Sequence, residues 1–158
     1  MRFDPVAAGF SLALALAVPA MAGDISPQAN RELLAANAAR EGVVVLPSGL
    51  QYRVIKSGDG KSPTPNDIVT VAYKGALVDG YVFDQTKPGQ TANLPAGNLI
   101  AGWKEALSLM KEGDEWELVV PSQLGYGTTR AGRDGAIPPN QTLVFQMHLI
   151  KVLPPGAR

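Results

Sequence analysis

The sequence predicts an α+β domain in which an antiparallel sheet of about five to six strands wraps around one short α-helix. Three observations predict this fold. Segments rich in β-branched and aromatic residues recur from position 43 onward, one segment with helical periodicity interrupts them at 99–110, and an alanine-rich segment precedes them all. A single helix among strands joined by tight turns favours a two-layer arrangement, a sheet folded over that helix.

The first predicted element is a short N-terminal helix at about 26–41. Ser26 is a favourable N-cap, and Pro27 suits the first helical position because no backbone donor is needed there. The alanine-rich run that follows has high helix propensity, and Gly42 fits the left-handed conformation that often ends a helix. The apolar side consists of Ala29, Leu33, Ala36 and Ala39. Such a thin side predicts a short extension and not a coiled-coil dimerisation rod.

The strands follow from their β-branched and aromatic composition and their alternation. They are predicted at 43–46, 49–55, 68–74, 81–83, 115–120 and 142–152. Asp79-Gly80 marks the tight turn before the fourth strand. In the last strand, one face is predicted to carry Leu143, Phe145, Met147 and Leu149.

The central helix is predicted at 99–110, where apolar residues recur at helical spacing. Leu99, Trp103, Ala106 and Met110 share one face, and Gly113 is expected to close the segment.

The first 22 residues are typical of a secretory leader. Arg2 gives a positive start, an apolar run occupies 10–18, and Ala20-Met-Ala22 has the small-x-small pattern of a cleavage site. The run is only half the roughly twenty residues that a bilayer-spanning helix needs. We therefore expect cleavage after Ala22 and a periplasmic or secreted protein without a membrane span. A buried N-terminal helix is the alternative interpretation.

Composition excludes several classes of partner and chemistry. Fourteen basic residues balance fourteen acidic ones, so no long-range field attracts nucleic acid or anionic lipid. The chain has no cysteine, so hydrophobic packing and not disulfides must hold the fold. What remains after the leader has the length of one domain.

Motifs for phosphate, metal or nucleophilic chemistry are not completed. Gly60-Lys-Ser62 resembles the end of a phosphate-binding loop, but Ile55 occupies the position where that loop requires its first glycine. His148 is the only histidine and is better interpreted as a packed or exposed strand residue than as a metal ligand. A Gly-x-Ser-x-Gly elbow does not occur. We expect no metal and no cofactor.

Aromatic residues and one aspartate remain as candidates for a binding site. Tyr126 stands between two glycines at the start of a long polar loop, where its hydroxyl is more useful at a rim than in a core. Asp84 follows directly on Phe83 at the end of a hairpin strand. The plain alternative is a hydrophobic core, and for Trp116 and Tyr52 it is the better interpretation.

These residues belong to seven short fragments that occur in order over about one hundred residues. The fragments are Val71-Ala-Tyr-Lys-Gly75, Gly80-Tyr-Val-Phe-Asp84, Ile100-Ala-Gly-Trp103, Gly113-Asp114, Tyr126-Gly127, Ile137-Pro-Pro139 and Thr142-Leu-Val-Phe145. Each fragment is weak alone, but together they resemble the FKBP family of peptidyl-prolyl cis/trans isomerases. Residues 41–55 and 148–152 are most similar to its bacterial macrophage infectivity potentiator branch. That branch usually has a long helix and a dimerisation segment. Only the end of such a helix is present here, so we expect a monomer more than a dimer.

The resemblance implies a site at matching positions. Its catalytic residues would be Asp84, Tyr126, Phe145 and Trp103, with Trp103 as the floor of the pocket. Its substrate-binding residues would be Tyr73, Phe83, Leu99, Ile100 and Ile137. Three departures bear on substrate and inhibitor preference: Ala92 and Leu94 stand near an expected wall aromatic, the loop with Arg130 and Arg133 is long, and no arginine follows Asp84 at 85–89.

The resemblance also implies a function and a division of the chain. An FKBP-like isomerase domain would occupy 47–153, after a leader at 1–22 and a helical extension at 23–46, and before a tail at 154–158. It would isomerise X–Pro bonds of unfolded exported proteins without a cofactor, bind rapamycin-type macrolides as inhibitors, assist folding and contribute to virulence. Two alternatives stay open: a catalytically weak chaperone or binding module for proline-containing segments, and a carrier for a small apolar ligand.

Overall fold

The computed structural model of the protein describes residues 23–157, so the predicted leader lies outside the described residues. The helices are α1 (Pro27–Ala38) and α2 (Ala101–Leu109). The strands are β1 (Val43–Val45), β2 (Gln51–Lys56), β3 (Ile68–Ala76), β4 (Val82–Gln85), β5 (Ala92–Pro95), β6 (Glu115–Val120) and β7 (Leu143–Leu153). Short 3₁₀ turns occupy Ser122–Leu124 and Arg133–Gly135.

The strands form one antiparallel sheet in the order β1-β2-β6-β7-β3-β4, with β5 paired to the first half of β3. The predicted α+β class is confirmed. One of the seven strands, β5, was not predicted, because it is short, ends in Pro95 and has no β-branched residue. Pairing with β3, from Ile68 opposite Pro95 to Val71 opposite Ala92, is what orders it.

The two faces of the sheet carry different helices. Leu143, Phe145, Met147 and Leu149 of β7 join the main core with α2, as the alternation predicted. Val144 points to the opposite face, where it packs with Leu33 of α1. The molecule thus has α2 inside the curved sheet and α1 on its outer surface.

Helix α1 begins as predicted but ends earlier. The Ser26 Oγ accepts a hydrogen bond from the Ala29 amide at 3.1 Å, and Pro27 takes the first helical position. The last turn tightens into i→i+3 bonds, such as that from the Arg40 amide to the Asn37 carbonyl at 3.0 Å, and the helix ends at Ala38. Gly42 does have a positive φ of 84°, but it lies in the turn before β1 and does not cap the helix.

The predicted apolar side of α1 is wrong in part. Ala39 is exposed, whereas Asn30 and Asn37 are buried on either side of Leu33. The helix therefore docks on the sheet through Leu33, with Ala29 and Leu34 beside it, and also through two buried asparagines, which helical periodicity does not reveal. Within residues 23–157, neither helix is long and apolar enough to cross a membrane.

Candidate active site

A pocket of about 460 Å³ opens where α2 and the inner face of the sheet meet. Its walls come from strands β3, β4, β5 and β7, from the segment leading into α2, and from the loop after β6. The lining residues are Tyr73, Phe83, Asp84, Leu94, Asn98, Leu99, Ile100, Trp103, Tyr126 and Phe145. This lining contains every residue predicted for the site except Ile137.

Perpendicular aromatic rings give the pocket its concave shape. Trp103, in the first turn of α2, is 5 % exposed and meets the Tyr73 ring at 5.1 Å and 86° between planes. Phe145 meets Trp103 at 5.3 Å and 79°, and Phe83 meets Phe145 at 5.8 Å and 87°. Such edge-to-face contacts are favourable, and all four rings line the pocket.

Gly75 makes this aromatic arrangement possible. A Cβ at this position would lie 2.6 Å from Phe145 and 2.8 Å from Phe83, closer than real atoms approach. Gly75 was not among the predicted site residues, although a glycine inside a strand is a known sign of close approach.

Asp84 and Tyr73 form a polar pair at the mouth of the pocket. The Tyr73 hydroxyl donates to Asp84 Oδ2 at 2.6 Å. Burial of the phenol, and then this hydrogen bond, raise the pKa of Tyr73 well above its ordinary value. Tyr73 is therefore a neutral donor that holds the Asp84 carboxylate in place. No arginine at 85–89 is present to do so.

Tyr126 lies at the rim and is 40 % exposed. Burial of its ring, and then the nearby negative charge of Asp84, raise the pKa of Tyr126. Within the described part of the chain no hydrogen bond engages its hydroxyl, which remains protonated and available to a ligand. Gly127, with a φ of 57°, follows it in the left-handed region, so the turn that presents Tyr126 depends on glycine.

Ile137 lies in an adjoining depression of about 570 Å³ and not in the pocket itself. The depression shares Phe83, Asp84 and Tyr126 with the pocket and adds Lys87 and Arg133. Pocket and depression therefore form one continuous surface with an apolar end and a polar end.

The long loop that borders the depression closes on itself. The Arg130 Nη1 donates to the Gly135 carbonyl at 2.8 Å, and Ala131 and Ile137 exchange backbone hydrogen bonds of 2.9 Å. Arg130 is thus a structural cation of the loop, whereas Arg133 faces the depression.

Leu94 and Asn98 complete the wall that precedes α2. Leu94 lines the pocket, whereas Ala92, near which a wall aromatic was expected, packs against the core. Asn98 was missed, because an exposed asparagine in a connecting segment carries no signal of its own. Among residues 23–157, no group of three His, Asp or Glu side chains is placed to hold a metal ion.

The comparison with protein families decides the relationship. A family model described as FKBP-type peptidyl-prolyl cis-trans isomerase matches residues 60–150. The chain belongs to this family. A second model, the domain amino terminal to FKBP-type peptidyl-prolyl isomerase, matches residues 20–54, which include α1.

Individual FKBP relatives confirm the predicted branch. The outer membrane protein MIP of Legionella longbeachae is 51 % identical over 120 residues, which are 75 % of this chain and 51 % of that protein. The peptidyl-prolyl cis-trans isomerase Mip of Coxiella burnetii is 49 % identical over 124 residues, covering 78 % of this chain and 53 % of the relative. The chain thus spans about half the length of the curated relatives it matches.

A solved FKBP structure supports the same architecture. The crystal structure of FkpA from Escherichia coli superimposes with a TM-score of 0.74 at 39 % identity, over 84 % of this chain and 61 % of that one.

Proposed function

We propose that the protein is a peptidyl-prolyl cis/trans isomerase that acts on X–Pro bonds of unfolded exported proteins. The observation that carries the proposal is the aromatic pocket over Trp103, with one available tyrosine hydroxyl and one fixed carboxylate at its mouth. Family membership supports it. Several attributes of the whole protein are part of the same proposal: cleavage of the leader after Ala22, a periplasmic or secreted location, a monomeric state, inhibition by rapamycin-type macrolides and a contribution to virulence.

The reaction needs a surface that favours a twisted amide over a planar one. Rotation about the peptide bond is slow because it breaks amide resonance, with a barrier of about 18–20 kcal/mol. The planar amide has a large dipole that water solvates well, and the twisted amide has a smaller one. An apolar pocket that excludes water, formed by Trp103, Ile100 and Phe145, therefore disfavours the ground state more than the twisted state.

Tyr126 would hold one side of the substrate while the other side rotates. Its hydroxyl is protonated at neutral pH, since burial raises a pKa that ordinarily lies near 10, so it can donate to a substrate carbonyl at the rim. Asp84, held by Tyr73, would orient the bound peptide electrostatically and transfer no proton. A combined barrier reduction of about 4–7 kcal/mol corresponds to roughly 10³–10⁵-fold acceleration.

The division of the chain remains a proposal as well. The isomerase domain would span 47–153, followed by a tail at 154–158. The extension at 23–46 would support it from outside, since α1 packs on the outer face and β1 pairs with β2 at the edge of the sheet.

A second candidate is a catalytically weak FKBP-fold chaperone that only captures proline-containing segments. Leu94 favours this alternative, because a leucine in the wall leaves the bound amide less tightly enclosed than an aromatic ring does. A carrier for a small apolar ligand is disfavoured by the polar depression that continues the pocket.

Exchange spectroscopy on a short Leu-Pro-Phe peptide distinguishes the two candidates. The wild type is expected to accelerate cis/trans exchange, and Asp84→Leu to reduce that acceleration. Peptide binding without any acceleration would remove the isomerase proposal and leave the binding module. Protection against thermal unfolding by rapamycin tests the inhibitor proposal separately.

A further inference from the structure

Asn30 of α1 is a buried polar residue that the proposed mechanism does not use. It is 7 % exposed and lies on the outer face of the sheet. Its Oδ1 accepts a hydrogen bond from the Thr142 amide at 2.7 Å, and its Nδ2 donates to Gln141 Oε1 at 3.2 Å. The same Nδ2 lies 2.9 Å from the Ser26 carbonyl oxygen, which ties these contacts to the first turn of α1.

The segment that Asn30 holds leads directly to the proposed site. The Asn140 amide donates to the Gly127 carbonyl at 2.8 Å, and Gly127 follows Tyr126. In the other direction, Thr142 precedes β7, which carries Phe145 three residues later. A short run of hydrogen bonds and backbone thus joins α1 to both residues.

The contacts leave this segment few alternative positions. Thr142 is 2 % and Gln141 is 8 % exposed. Neither residue can therefore replace its hydrogen bond to Asn30 by one to bulk water unless the segment moves. Buried donors and acceptors that lose a partner are destabilising, which favours one placement of the segment while Asn30 is present. Gln141 adds a second tie to the helix, because its Nε2 donates to the Ile25 carbonyl at 3.3 Å.

We propose that Asn30 is a positioning residue for the active site, which acts through Gln141 and Thr142 on Tyr126 and Phe145. The inference rests on the proposed function for its kinetic part only. Its structural part is that the side-chain amide of Asn30, through its hydrogen bonds, sets the position of the turn at Tyr126-Gly127. This part does not depend on any activity.

The chain offers a matched control in the same helix. Asn37 is 3 % exposed, and its Nδ2 donates to Gln51 Oε1 at 2.8 Å. Its Oδ1 accepts from Arg40 at 2.9 Å. The side-chain hydrogen bonds of Asn37 therefore tie α1 to β2 and reach neither the pocket nor the 125–142 segment, so its removal tests the effect of loosening the helix alone.

The kinetic test is a double-mutant cycle on Leu-Pro-Phe exchange, below the unfolding transition of every variant. Asn30→Ala is expected to lower kcat/KM about tenfold, because a misplacement of about 1 Å can cost about 10²-fold and Asn30 acts on Tyr126 only indirectly. Asn37→Ala should leave it unchanged. In the Asn30→Ala protein, Tyr126→Phe should have little further effect. Full additivity of the two losses, or equal losses from Asn30→Ala and Asn37→Ala, would overturn the proposal.

Amide NMR of the same proteins decides the structural part even if the wild type does not isomerise the peptide. Asn30→Ala should speed hydrogen exchange at Thr142 and shift the amide resonances of Tyr126 and Gly127, whereas Asn37→Ala should do neither. A wild type without activity that shows these changes refutes the proposed function and keeps the positioning role. Resonances of Tyr126 and Gly127 that do not move in Asn30→Ala refute the positioning role itself.

Discussion

Trp103 and Trp116 are equally buried, yet they do opposite things to the space around them. Each is 5 % exposed, and within residues 23–157 neither indole N–H has a hydrogen-bond partner. Trp116 lies flat on Tyr52, with ring centres 4.1 Å apart and 9° between planes. The rings of Tyr73 and Phe145 stand nearly perpendicular to the Trp103 ring. The flat stack fills its volume, whereas the perpendicular set encloses a pocket.

Burial and residue type therefore do not distinguish a tryptophan that fills the core from one that lines a pocket. Ring orientation does, and it is set by neighbours that are distant in sequence. Trp116 is on β6 and stacks on β2, next to it in the sheet. Trp103 is on α2 and faces β3 and β7 across the fold.

Replacing each tryptophan by leucine should separate function from stability. Both changes remove buried ring atoms, so each should lower the free energy of unfolding by about 2–4 kcal/mol, somewhat less than truncation to alanine. Trp103→Leu should also reduce kcat/KM for a Leu-Pro peptide at least about tenfold, because the pocket loses its floor. Trp116→Leu should retain kcat/KM per folded molecule. Denaturant unfolding and peptide exchange measure the two quantities, and equal kinetic losses would contradict the contrast.

Gly75→Ala should disturb the perpendicular set without removing a ring. The new methyl group would collide with Phe145 and Phe83, so we expect a loss of about 1–3 kcal/mol in stability from overpacking and a several-fold loss of kcat/KM. Gly80→Ala is the control. Nothing lies within 4 Å of a Cβ there, and its φ of 91° gives backbone strain only. A Gly75→Ala protein with wild-type kinetics would show that the ring geometry is not needed.

Tyr126→Phe should change kinetics but not stability. Its hydroxyl has no partner in the described structure, so the free energy of unfolding should stay within about 0.5 kcal/mol of the wild type. One hydrogen bond to the substrate of about 0.5–1.5 kcal/mol predicts a loss of roughly 2- to 10-fold in kcat/KM. Tyr81→Phe, at a tyrosine that is 55 % exposed, is the control. A large stability loss for Tyr126→Phe would mean that the hydroxyl serves the fold.

The smallest effect is expected from pH. Burial, and then contacts with Asp84, raise the pKa of Tyr73, and burial followed by the charge of Asp84 raises that of Tyr126. Both hydroxyls therefore stay protonated up to about pH 9, so their ionisation should not change kcat/KM below that pH. The folded state holds these protons more tightly than the unfolded state, so their contribution to stability is complete below about pH 10 and is lost as pH rises above it.

Tyrosinate absorbance tests this sign directly. Two tyrosines of the folded wild type should titrate above the ordinary range, and Tyr73→Phe should remove one of these late steps. Ionisation of Tyr73 at or below the pKa of a free tyrosine would contradict the assigned environment.

Much of this site could be predicted because its residues lie in short local fragments. The fragments around Phe83, Trp103 and Tyr126 each carry a turn or helix signal of their own, and their order indicated the family. Local pattern also located Ser26 as the N-cap of α1.

What sequence reasoning missed depends on pairing between distant segments. Strand β5 exists because β3 is beside it, and Ile137 borders the depression because Arg130 and the Ala131 bridge fold the loop back. From the sequence alone, Asn30 is expected to be an exposed polar residue of a surface helix. It is buried because Thr142 and Gln141, more than a hundred residues later, supply its partners.

The most direct test of the account is to follow the two indole N–H resonances in a nitrogen-15 correlation spectrum while Leu-Pro-Phe peptide is added. Trp116→Phe assigns the pair. The proposed role of Trp103 as the pocket floor means that its signal should shift and saturate at the peptide concentration that also saturates catalysed cis/trans exchange, while the Trp116 signal stays in place. Exchange that is catalysed while the Trp103 signal does not move, or a titration that moves Trp116 instead, would contradict it.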